Sequence, residues 1–238
     1  MGQVSNLNDF TRSDDVTDPT TCAWPAQEIA AAEAPLTAGT DRYMRAAAHA
    51  VARAALRELR QGAGTVGTQT GPGWISGAPV LLLVGGGHNG ADTLLAGGLL
   101  AHSGCAVSAV LATEHPHPVA LEEARSHGVT VHGAGYRNAD GTDRDSAEAM
   151  AAVEAFLVHG GPVLDGLTGI GATGPLRPDA AALIAPLIAA GEPGRRPLRV
   201  IAVDLPSGTG VDDGTVNGPV LAADLTVTFT CLKGSQCL

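Results

Sequence analysis

Two aspartates, Asp165 and Asp204, each close a short apolar run and each lead into a turn rich in glycine or proline. The first opens Asp165-Gly166-Leu167-Thr168-Gly169-Ile170-Gly171-Ala172-Thr173-Gly174-Pro175, and the second sits in Val203-Asp204-Leu205-Pro206-Ser207-Gly208. A third stretch, Gly85-Gly86-Gly87-His88-Asn89-Gly90-Ala91-Asp92, follows the apolar run 80–84. An acid at a strand end can move a proton or hold a hard cation. Glycines let backbone N–H groups come close to a ligand. Pro206 fixes one φ angle, and Ser207 offers a hydroxyl and a carbonyl oxygen. Each loop also has a plainer reading as a tight turn. Asp92 is then an acid in the first turn of a helix, Asp165 a cap and Asp204 an Asx-turn residue.

Other chemistry is less well supported. Gly85, Gly87 and Gly90 match G-x-G-x-x-G, and Glu114 lies near the end of the next run, as an NAD-dependent dehydrogenase would want. Against that, Asp92 would repel a phosphate, and neither a hydride-transfer site nor a substrate domain is visible. Ser207 lies outside a G-x-S-x-G elbow, which counts against serine-hydrolase chemistry. His115 and His117 flank Pro116 in what reads as a surface loop, leaving His88 as the one histidine in the candidate cleft.

The elements that must position these loops alternate. Apolar runs at 80–84, 107–111, 129–132, 163–164, 200–203 and 225–229 are separated by helix-like windows at 91–103, 118–127, 146–159 and 179–190. That pattern predicts an α/β fold, a Rossmann-like three-layer αβα sandwich with a mostly parallel central sheet. In such sheets ligands bind beyond the carboxyl ends of the strands, where strand order reverses. With the order 3-2-1-4-5-6, counted from the run at 80–84, Asn89, Asp165, Asp204 and Ser207 converge on one cleft. Their oxygens suit a hard cation rather than zinc. Upstream, residues 26–60 read as N-terminal helices broken at Pro35 and Gly39, and residues 61–78 as a loop. Residues 1–23 read as a disordered leader before a domain covering 24–238.

Composition narrows the partners. The chain has 238 residues, 45% hydrophobic and 16% charged, with 14 basic against 24 acidic groups and a net charge of −10. This is a globular composition. The acidity disfavours nucleic acid, and 3% aromatics leave little for base stacking. The sole lysine, Lys233, lies far from any glycine-rich turn, so no P-loop is present. The apolar stretch 180–190 is too short for a bilayer span, and Cys22, Cys105, Cys231 and Cys237 form no C-x-x-C pair. A soluble, cytoplasmic protein with reduced thiols is expected.

The three loops resemble those of the NAD(P)H-hydrate epimerases, the YjeF N-terminal domain family. That family has an N-N-G-G-D turn where this chain has His88-Asn89-Gly90-Ala91-Asp92. Its D-A-L-x-G-T-G loop is similar to Asp165–Gly171, and its V-D-I-P-S-G to Val203–Gly208. Its A-D-x-T-V-T-F strand looks like Ala223–Phe229. The early Ala30-Ala31-Ala32-Glu33 and Met44-Arg45-Ala46-Ala47 segments are also similar. The likeness covers residue 24 to the C-terminus.

The resemblance implies interconversion of the R and S forms of NADH or NADPH hydrated at C6 of the nicotinamide ring, with one potassium ion per subunit. It implies potassium ligands at Asn89, Asp165 and Ser207. It implies substrate contacts at His88, Asn89, Gly90, Ala91 and Asp92, at Gly169, Ile170, Gly171, Ala172, Thr173, Gly174 and Pro175, and at Asp204, which also serves as acid/base. The implied partners are NADHX or NADPHX, an ADP- or ATP-dependent dehydratase that is often fused downstream, and a second copy in a homodimer. A non-catalytic nucleotide-binding or scaffold module on the same fold is the alternative. His88 stands where the family has Asn, and Ala91 stands where it has Gly, adding a β-carbon where backbone would approach the ligand. Lys233-Gly234 lacks the proline of the family's K-P-G turn. The chain stops soon after with no further strand, so a C-terminal truncation is expected.

Overall fold

The computed structural model describes residues 23–61, 75–133, 146–191 and 198–238. In chain order the elements are β1 (Ala23–Trp24), α1 (Ala26–Thr37), α2 (Arg42–Arg60), β2 (Pro79–Val84), α3 (Gly87–His102), β3 (Ala106–Leu111), α4 (Pro118–Ser126) and β4 (Thr130–Gly133). They continue with α5 (Ser146–His159), β5 (Pro162–Gly166), α6 (Pro178–Ala190), β6 (Arg199–Val203), β7 (Leu225–Val227) and β8 (Leu232–Lys233), then a 3₁₀ turn at Gly234–Gln236. The expected leader lies outside the described residues except for Ala23, which is in β1.

Six strands form one sheet in the order β4-β3-β2-β5-β6-β7, and every pairing is parallel. Counted from β2 this is the order 3-2-1-4-5-6, under which the three loops converge. Strand β2 is apolar throughout because both its faces are covered. Val80, Leu82 and Val84 pack with α2, α3 and α4 on one side, while Leu81 and Leu83 pack with α5 and α6 on the other. The direction of strand addition reverses between β2 and β5. The loops after these two strands therefore flank the crevice where such sheets bind ligands.

Several boundaries differ from the sequence reading, each for a local reason. Helix α3 starts at Gly87, not at 91, because Gly87 takes φ +74°, a conformation open to glycine. Asp92 therefore sits in the second turn rather than the first. Helix α1 runs through Pro35, close to its end, and the break comes at Gly39 with φ +72°. Strand β7 stops at Val227 because β6 ends where Asp204 turns to φ +70°, so the backbone N–H of Phe229 donates to the Asp204 side chain instead. The C-terminal segment adds a short strand just before the Lys233-Gly234 turn. β8 pairs in parallel with β1, and Gly234 packs on the Asp212 backbone where a Cβ would overlap. Among the described residues, no helix is long and apolar enough to cross a membrane.

The entry to α3 depends on a bare backbone. A Cβ on Gly90 would overlap the Gly85 carbonyl oxygen, whereas one on Gly171 would meet nothing. Gly90→Ala should lower unfolding free energy by about 1–3 kcal/mol. Gly171→Ala should stay within about 0.5 kcal/mol of the parent. Denaturant unfolding of both variants checks this.

Candidate active site

Two groups of polar residues form at the carboxyl ends of β2, β5 and β6. The first centres on Asp165, which is fully buried at the end of β5, in register with Leu83 of β2 and Ala202 of β6. Its Oδ2 accepts the Ser207 N–H at 2.9 Å, and its Oδ1 accepts the Leu167 N–H at 3.4 Å. The Ser207 hydroxyl also hydrogen-bonds the carboxyl, and its oxygen accepts the Thr168 N–H at 3.0 Å. Asn89 reaches across from α3 and donates its Nδ2 to the Thr168 carbonyl at 2.6 Å. Asn89, Asp165 and Ser207 thus meet, and Thr168, not singled out in the sequence, joins them.

Burial pushes the Asp165 carboxyl above its ordinary range, against the hydrogen bonds from Ser207 and Leu167. Among the described residues no cationic side chain is bonded to it, and Thr168 Oγ1 is buried with no hydrogen-bond partner. One carboxylate beside amide, hydroxyl and carbonyl oxygens is a hard donor set of single charge. It suits a monovalent cation better than a divalent or thiophilic metal.

The second group centres on Asp204. Its Oδ1 receives Lys233 Nζ in a buried ion pair, with Thr228 Oγ1 and the Phe229 N–H each at 3.3 Å. Lys233 is 1% exposed, and its ammonium also donates to Thr228 Oγ1 at 2.9 Å and to the Phe229 carbonyl at 2.8 Å. Gln236 donates its Nε2 to the Asp204 carbonyl at 2.8 Å and accepts the Lys233 N–H at 2.9 Å. Every one of these carboxylate bonds falls on Oδ1, and among the described residues Oδ2 has no hydrogen-bond partner. Asp204 is therefore no Asx-turn residue, because its side chain serves the C-terminal segment rather than its own turn. Lys233 and Gln236 are the residues that sequence reasoning missed. The available signals were a lone lysine in a chain that otherwise uses arginine and its place in the segment like the family's K-P-G turn.

Helix α3 carries Asp92 toward Asp204. Asp92 is 7% exposed, and its Oδ1 is buried without a hydrogen-bond partner. Burial, then the neighbouring Asp204 and Glu33, push this carboxyl up to about 8. Glu33 itself accepts the Thr230 hydroxyl, which ties α1 to the C-terminal segment. His88 is exposed at the rim. Ala91 is fully buried in the core with α2 and β2, so its β-carbon faces away from the cleft rather than toward a ligand. Residues 169–175 form the opposite, largely open wall, closed on itself by an Ala172 N–H to Gly169 carbonyl bond of 2.9 Å. His117 caps α4 by accepting the Ala120 N–H at 3.2 Å, and His115 is exposed, as expected of a surface loop.

A parallel doubly wound sheet with acids at its switch-point loops defines a Rossmann-like α/β protein with a small-ligand cleft. The YjeF-related protein N-terminus family matches residues 40–235, and the chain belongs to that family. An NAD(P)H-hydrate epimerase from Microbacterium testaceum is 39% identical over 213 residues, covering 89% of this chain and 70% of that protein. One from Clavibacter sepedonicus is 38% identical, covering 87% and 79%. A bifunctional NAD(P)H-hydrate repair enzyme from Mycobacterium leprae is 37% identical over 80% of this chain, which spans 33% of that protein. The crystal structure of yeast ynu0 superposes with a TM-score of 0.70 at 17% identity, covering 90% and 83% of the two chains, and so shares the fold. By its relatives the chain is an isomerase.

The raised Asp92 carboxyl makes stability depend on pH. Its ordinary value is 3.8 and its folded value about 8, so the folded state holds the proton more tightly. The contribution is complete at pH below about 4 and is lost as pH rises to about 8. Asp92→Asn removes this dependence. From pH 5 to pH 8 the variant should gain on the parent by at least about 2 °C in Tm. Parallel melting curves would contradict the assignment.

Proposed function

We propose that this chain interconverts the R and S epimers of hydrated NADH and NADPH, with Asp204 moving a proton at the reacting centre. The observation that carries this is the clamp on Asp204. Lys233, Thr228 and Phe229 hold one carboxylate oxygen, and among the described residues the other has no hydrogen-bond partner. A base must be fixed in position and keep an unoccupied lone pair, and this arrangement provides both. In this reading His88, Asn89 and Gly90 on one side and residues 169–175 on the other are the dinucleotide's contacts. The N-terminus of α3 at Gly87 then favours a phosphate by its helix dipole.

Asn89, Asp165 and Ser207, with the Thr168 carbonyl, are the residues that would hold potassium. Bound there, the ion would neutralise the buried Asp165 charge and fix the two loops relative to each other. Asp165 itself ties β5 to the loop after β6 through the Ser207 N–H, which sets the position of Asp204 three residues earlier. The bifunctional relatives support a further step in the same pathway. An S-specific dehydratase would consume the product, so the epimerase would bring the R form into repair.

The test supplies mixed hydrate epimers with an S-specific dehydratase and follows loss of the R form. The chain should accelerate that loss in potassium buffer, and less in sodium buffer. Asp204→Asn should slow it by at least about 100-fold with the circular dichroism spectrum unchanged. No acceleration in potassium would overturn the reading in favour of a non-catalytic module.

A further inference from the structure

Asp92 is the group whose placement the proposed chemistry does not yet use. It lies on the inner face of α3, in the second turn, with an oxygen that is buried and has no hydrogen-bond partner among the described residues. The charged groups facing it are Glu33 from α1 and Asp204 from the end of β6, both acidic. The one cation facing it among the described residues, Lys233 of β8, is bonded to Asp204 and not to Asp92. The Cys231 thiol feels the same three charges. Three carboxyls thus share one ammonium, and the one left over is buried among like charges. A carboxyl in that position keeps its proton.

We propose that Asp92 is a second catalytic residue, the proton donor that works with Asp204 as proton acceptor in the same turnover. This rests on the epimerase reading above. Two carboxyls whose surroundings divide them into an acid and a base are a recurrent way to assign these roles.

The hydrated nicotinamide ring is a cyclic hemiaminal, with C6 bonded to both a hydroxyl and the ring nitrogen N1. Asp204 takes the hydroxyl proton as the C6–O bond becomes a carbonyl. The C6–N1 bond breaks with its electron pair moving to N1, and Asp92 delivers its proton there. The open form is an aldehyde, and rotation about C5–C6 presents the other face to N1. N1 then attacks C6 and returns its proton to Asp92, while Asp204 returns its proton to the oxygen. One proton leaves oxygen and one arrives at nitrogen, so an acid and a base suffice and no co-reactant is needed. The open wall at 169–175 leaves room for the rotation.

The experiment compares the parent and Asp92→Asn in the coupled epimerisation assay between pH 6 and pH 9.5, with NADP binding measured by calorimetry. The parent's kcat should fall as pH rises through about 8, where Asp92 loses its proton. Asp92→Asn should lose about 100-fold or more in kcat, lack that alkaline limb, and bind NADP within about threefold of the parent. The variant removes a buried ionisable group, so it should fold. A measurement on the parent backs this up. With ¹³C-labelled aspartate in potassium buffer, one carboxyl carbon should remain protonated at pH 7 and should be missing from the Asp92→Asn spectrum. An active parent whose Asp92→Asn variant keeps its kcat, or keeps the alkaline limb, overturns the proposal alone. So does an Asp92 carboxyl already ionised at pH 7. A parent with no epimerisation overturns the functional reading and this proposal together.

Discussion

The buried ion pair between Lys233 and Asp204 is the constraint on which the rest of the site depends. Removing an ammonium and a carboxylate from water is costly, and the loss is offset only where geometry and further hydrogen bonds satisfy both groups. Here Thr228 Oγ1, the Phe229 carbonyl and the Phe229 N–H complete the set. Meeting these bonds requires Asp204 to leave the sheet with φ +70°, which ends β6 and, with it, the pairing of β7. The strain of a non-glycine residue in that conformation is tolerated because Gln236 and the Val227 carbonyl hold its backbone from both sides. The C-terminal segment is thus a strap over the cleft. Its pairing with β1, and the Thr230 to Glu33 bond, bring α1 into the same wall.

The cleft divides its carboxyls by environment. Asp165 is buried among oxygen donors and backbone N–H groups, suited to a cation. Asp204 is held by an ammonium and keeps one oxygen free. Asp92 has neither, and burial and its acidic neighbours raise its carboxyl above the ordinary range. Three acids within one strand-end crevice would repel one another if all were charged. The fold separates their roles by what each can reach, and loops stripped of side chains at Gly85, Gly90 and Gly166 allow the close packing this needs.

Much of the framework was legible in the sequence because it depends on local patterning. The apolar runs set the strands, the acids and glycines marked their carboxyl ends, and Asn89, Asp165 and Ser207 come together around Thr168 in the observed strand order. What was not legible depends on long-range contact or on helix phase. Lys233 lies 29 residues from Asp204, and nothing near it in the chain marks it as a partner. Ala91 reads as ligand-facing only if α3 begins at 91. With the start at Gly87 the same residue rotates into the core, and Asp92 moves from the first turn to a buried position. Thr168 was hidden because its contribution is a backbone carbonyl, which no residue type announces.

The central claim is that the C-terminal strap holds Asp204 through Lys233, and a double-mutant cycle in urea unfolding addresses it directly. Lys233→Met leaves Asp204 buried without its counter-charge and should cost about 3 kcal/mol or more. Adding Asp204→Asn should recover most of that loss, giving a coupling of at least about 2 kcal/mol between the two positions. Additive costs, with no coupling beyond about 0.5 kcal/mol, would contradict the account.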